Sequence, residues 1–111
     1  MAWNTVFEGV TIAASGTATS RVIGLQDGKD IHSFQYKVTG DGTVSITVYT
    51  SIDGTDFITN GVKANAITKT SGPGSDGKNI LGLQLKPGDH IQFAATASGD
   101  TVVLTVWFTQ K

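Results

Sequence analysis

The stretch TSIDGTDF, residues 50–57, packs Asp53, Asp56, a glycine and the hydroxyls of Thr50, Ser51 and Thr55 into eight positions. These are the residue types from which oxygen-ligated cation sites are built. Calcium takes roughly six to eight oxygen ligands, however, and two carboxylates without the spacing of an EF-hand loop fall short of that. Asp-Gly is also the pair best suited to a type I′ turn, in which both central residues need positive φ. The pair recurs at Asp27-Gly28, Asp41-Gly42 and Asp76-Gly77, while Asp89 and Asp100 each follow a glycine. Six of the nine acidic residues therefore sit in expected turns. TSIDGTDF is read as one of these turns, and a calcium site is left only to loops that converge from distant parts of the chain.

GPGSDGKN, residues 72–79 within a Gly-rich stretch, places Gly72, Gly77 and Lys78 in the first part of the phosphate-binding pattern G-x-x-x-x-G-K-[ST]. Asn79 stands where the Mg²⁺-binding hydroxyl belongs, and the residues that follow alternate like a strand instead of opening a helix. A flexible surface loop is the expected reading. Gly72, Gly74 and Asp76 also match part of one calcium-binding nonapeptide, but such sites need stacked repeats. The general-base candidates are His32, at the mouth of an apolar strand face, and His90, beside Asp89 at a strand start. Neither has a nucleophile in a recognisable setting such as G-x-S-x-G. With no cysteine there is neither a disulfide nor a thiolate metal site. The expectation is a protein without catalytic residues, cofactor or metal.

These loops need a scaffold, and period-two alternation supplies it. His32, Phe34, Tyr36 and Val38 share one face of a strand, and Val44, Ile46 and Val48 share one face of the next, so residues 31–50 read as an antiparallel hairpin. Ile91, Phe93, Ala95 and Ala97, then Val102, Leu104, Val106 and Phe108, read as a second hairpin. Leu81, Leu83 and Leu85 form a further face before Pro87-Gly88, and two less regular strands, WNTVFEGVTI and TSRVIGLQ, precede them. Residues 60–79 read as a short strand at Ala66–Thr70 followed by a long exposed loop. The 14 glycines and single Met suit many short strands. The predicted fold is all-β: one domain over residues 1–111, an antiparallel β-sandwich of about eight or nine strands, jelly-roll-like or immunoglobulin-like.

Eight basic and nine acidic side chains leave a formal charge of -1, which gives no footprint for nucleic acid or an anionic membrane surface. MAWNTVFEGV has no basic n-region and no long apolar run, so synthesis without a signal peptide is expected. The aromatic residues are the remaining lead. Trp107 falls on the face of the last strand opposite Val106 and Phe108, together with Val103 and Thr105, and Trp3 lies near the other terminus. Three readings stand open for these tryptophans: cover by a neighbouring sheet or terminus, subunit contact, or a sugar-stacking platform to which Tyr49 could contribute.

The order of the pieces resembles small all-β virion proteins of tailed bacteriophages and prophages. The resemblance spans residues 13–109 and rests on FQYKVTG-x-GTV at residues 34–44, S-x-DG-x-x-F at residues 51–57, and a last strand pair ending at a tryptophan-bearing C-terminus. It implies a structural protein of the virion, either a capsid decoration protein or a tail accessory protein. Such a protein bridges neighbouring subunits, often as a homotrimer or larger ring, and is made in the host cytoplasm. Its partners would be itself and capsid or tail proteins, with Trp3, Val103 and Trp107 as interface residues. S-x-DG-x-x-F turns also occur in sugar-binding sandwiches, so a carbohydrate-binding module is the alternative.

Overall fold

A computed structural model of the chain describes residues 3–83 and 88–111, with the side chain of Trp3 left undescribed. Nine strands follow in order: β1 (Trp3–Ile12), β2 (Thr17–Thr19), β3 (Ile23–Gly24), β4 (His32–Gly40), β5 (Thr43–Ser51), β6 (Ile58–Ile67), β7 (Lys78–Gly82), β8 (His90–Ser98) and β9 (Val102–Gln110). All pairings are antiparallel, in one sheet of order β1-β9-β4-β7 and a second of order β2-β8-β5-β6, with β3 also on β8. The fold is the expected all-β sandwich. Its strand order is that of a jelly roll, because the chain changes sheet at every link except β2 to β3 and β5 to β6.

The inward rows read from alternation form the core: Phe34, Val38, Val44, Ile46, Val48, Phe93, Leu104, Val106 and Phe108 are all buried. Phe93 stands edge-on to both Phe34 and Phe108, with ring centroids 5.4 and 5.9 Å apart. Leu81 and Leu83 pack against this core, while Leu85 and Pro87 lie outside the described residues.

The two expected hairpins do not exist. β4 and β5 lie in opposite sheets, as do β8 and β9, and each connection is an arch over the core. The arches nest: β4 pairs with β9 from His32↔Gln110 to Gly40↔Val102, and β5 pairs with β8 from Thr43↔Ser98 to Ser51↔His90. Alternation tells which face of a strand is apolar, not which strand is its neighbour. A flat hairpin would leave both apolar rows on one side of one sheet, whereas the arch lets each row cover the other.

The turns are also not of the expected type. None of the four Asp-Gly aspartates has positive φ; in three pairs the glycine alone does, and at Asp41-Gly42 the left-handed residue is Gly40, with φ 96°. β6 runs Ile58–Ile67 instead of occupying Ala66–Thr70. Its alternation is interrupted where Ala66 takes φ 53° and donates its N–H to Ser45 Oγ at 3.0 Å.

The strand edges of the first sheet are blunted. On β7 the amides alternate with those bonded to β4, and the outward N–H groups of Lys78 and Ile80 donate to Asp76 Oδ1 (3.3 Å) and Asn79 Oδ1 (2.8 Å). On β1, Arg21 donates to the Thr5 carbonyl at 3.2 Å, and the register shifts at Thr5/Phe7 and Phe7/Val10. Irregular and pre-satisfied edges disfavour pairing with a strand from another chain, which leaves the faces for contact.

Candidate functional site

The outer face of β1-β9-β4-β7 carries a groove beside an aromatic side chain. Register places Thr5, Trp107, Gln35 and Ile80 side by side across its four strands. Trp107 is half-buried between the inward Val106 and Phe108, and Ile80 is 64% exposed. A groove of about 370 Å³ is lined by Ser33, Gln35, Ile80, Trp107 and Thr109, with the backs of Phe34 and Phe108 as its floor. Such a groove offers an aromatic plane and an aliphatic branch for apolar contact. One amide and two hydroxyls supply hydrogen bonds. In the row beyond, Lys37 and Lys78 face each other across β4 and β7.

The sequence-derived interface residues are only partly brought together. Val103 shares the face with Trp107 but sits at the far end of β9, between Thr11 and Thr39, and does not line the groove. The backbone of Trp3 pairs with Thr109 at the near end of the same sheet. Tyr49 belongs to the other sheet, between Thr59 and Gln92, so it cannot share a platform with Trp107. Ile80 and Gln35 were not singled out from sequence. The signal for Ile80 was there: an isoleucine out of phase with Leu81 and Leu83, on what should be a polar face.

TSIDGTDF is a turn. Asp53 Oδ1 accepts from the backbone N–H of Asp56 (2.8 Å) and Thr55 (2.9 Å) and from the Ser51 hydroxyl (2.9 Å), while the Gly54 N–H donates to Ser51 Oγ at 2.9 Å. These donors, Asp56 first, hold the carboxyl at a pKa of about 2. Among the described residues no three His, Asp or Glu side chains converge as metal ligands. In the GPGSDGKN loop, Gly77 is buried, its N–H donates to Ser71 O at 2.8 Å and its carbonyl accepts from Val38 N at 2.9 Å. The loop is thus tied to the sheet, not free, and Lys78 opens a strand instead of the helix a phosphate site requires.

His32 is buried and stacks on Phe108, with centroids 6.2 Å apart and planes within 10°. Neither ring nitrogen has a hydrogen-bond partner. Burial lowers its pKa, against a smaller upward pull from Asp30. The unfolded chain therefore binds this proton more readily, so the stability His32 allows is complete above the ordinary histidine pKa of about 6.5 and is lost as pH falls below it. Replacing His32 by Phe keeps the stacked ring and removes two unpartnered nitrogens. The variant is expected to be at least as stable at neutral pH and to lose the part of the drop in melting temperature that sets in as pH falls below about 6.5. An unchanged pH profile would show that other groups carry the acid sensitivity.

Comparison with family models and with curated proteins gives no match. Among solved structures, the chain is similar to a carbohydrate-binding module of Cellvibrio mixtus lichenase 5A in complex with cellotriose, with TM-score 0.58 and 13% identity over 100% of this chain and 99% of that one. It is also similar to the module TmCBM61 in complex with β-1,4-galactotriose, with TM-score 0.51 and 10% identity over 99% of this chain and 83% of that one. A third likeness is to the T13 viral particle of infectious bursal disease virus, with TM-score 0.53 and 12% identity over 97% of this chain and 30% of that one. At these identities the shared property is the β-sandwich fold, which sugar-binding and capsid proteins both use.

Proposed function

We propose that the protein is a non-catalytic structural component of a bacteriophage virion, on the capsid or the tail, that works by contact between subunits. It is made in the host cytoplasm and assembles with itself, as a trimer or larger ring, and with capsid or tail proteins. The observation that carries this reading is the Trp107–Ile80 groove on an open sheet face, beside a β7 edge whose Lys78 and Ile80 amides are already satisfied. A tryptophan beside a highly exposed isoleucine is the composition of a protein contact centre, where aromatic anchors dominate the binding energy.

Truncation tests this directly. Trp107→Ala should weaken self-association by about 2 kcal/mol or more, roughly 30-fold in dissociation constant. Its sheet signal in circular dichroism should stay as in the wild type, because the ring lies outside the core. An unchanged solution mass in the variant would sink the proposal.

The carbohydrate-binding reading has one observation in its favour: the same groove sets Ser33, Gln35 and Thr109 beside the indole of Trp107. A saturable change in tryptophan fluorescence with a soluble oligosaccharide, lost in Trp107→Ala, would favour it over subunit contact.

A further inference from the structure

The end of the sandwich where β5 turns into β6 and where the chain enters β4 is unlike the rest of the surface. Ile31, Ile52 and Ile58 stand 59%, 76% and 71% exposed there. Ile52 is shared by two adjoining hollows, one reaching Asp53, Asp56 and Ile58 and the other Asp27, Asp30 and Asp89. Among the described residues, the charged groups of this end are those five carboxylates against Lys29 and Lys111, the latter bonded through its backbone to Ile31. Exposed branched aliphatics in an acidic rim are costly to leave in water and mark a contact surface.

The Trp107 face has the opposite character. Lys37 and Lys78 adjoin Ile80, and β4, β7 and β9 carry no acidic residue; Glu8 lies on the outer strand β1, and Asp76, in the loop before β7, shares a hollow with Lys78 and Ile80 and accepts from the Lys78 N–H, which leaves the two lysines in excess there. We propose that the acidic isoleucine end of one copy docks on the Trp107 face of the next. Ile52 and Ile58 cover Trp107 and Ile80, while Asp56 and its neighbours meet Lys78 and Lys37. This rests on the self-association proposed above and names its two surfaces. Because the surfaces differ, a pair still presents one of each at its two ends, so assembly continues past the pair and forms a ring where the rotation between copies closes. Complementary rims of this kind set register and exclude wrong pairings.

Charge reversal on the two exposed partners tests the assignment. Lys78→Glu and Asp56→Lys should each weaken assembly, measured by light scattering, on the order of tenfold or more, since like charges then meet. The double variant Lys78→Glu/Asp56→Lys should restore it, because every reversed end then meets a reversed face whatever the number of copies in the ring. Weakening without rescue in the double variant, or no effect of either reversal on a wild type that assembles, overturns the end-to-face contact and leaves self-association standing. A wild type that stays monomeric overturns both.

Discussion

Phe93→Ala is expected to cost about 3–5 kcal/mol, a large share of the roughly 5–15 kcal/mol that holds a domain of this size folded. Phe93 is fully buried on β8 and stands edge-on to two further core phenylalanines, Phe34 and Phe108, which belong to the opposite sheet. Its backbone is pinned as well: its N–H donates to Ser20 Oγ at 2.9 Å and its carbonyl accepts from Ser20 N at 2.8 Å. The surroundings therefore cannot close over the space the ring leaves. Urea unfolding checks this, with the midpoint falling steeply while the slope stays unchanged. A loss under about 1 kcal/mol would mean that the sheets can collapse onto each other, contrary to close packing at this point.

Gly42→Ala is the second large effect, and its cause is contact, not backbone conformation. Gly42 does not lie in the left-handed region. A Cβ there would run into the backbone carbonyl of Asp100, while the Gly42 N–H donates to Thr101 O at 3.3 Å. The obstacle is main chain of the second arch, so nothing flexible can yield. Overpacking of this sort costs about 3 kcal/mol, which lowers the melting temperature by roughly 10 °C or more in a domain of this length. Gly24→Ala is the control, since a Cβ there meets nothing within 4 Å and the residue has no positive φ. It should stay within about 0.5 kcal/mol of the wild type. Equal melting temperatures for the two variants would show that the arches do not nest as closely as described.

Which residues face the core was legible from the chain alone. Phe34, Val44, Phe93 and Leu104 alternate with polar neighbours, and strand geometry turns that period directly into burial. Pairing was not legible, because a short Gly-rich turn serves an arch as well as a hairpin. The deciding contact, Gly42 against Asp100, joins residues far apart in sequence. The site was half legible. Trp107 announced itself by sitting opposite Val106 and Phe108, whereas Ile80 and Gln35 join it only through the pairing of β4 with β7 and β9. The isoleucine end was hidden for the same reason. Ile52 and Ile58 flank the β5–β6 turn while Ile31 precedes β4, and only the jelly roll gathers them at one end.

The most direct test of the central claim is the solution mass of the intact chain, measured by light scattering over a dilution series. The contact reading predicts a mass that is a fixed multiple of the 11.6 kDa chain and falls towards that value on dilution. A mass of 11.6 kDa at every concentration would contradict a self-assembling subunit.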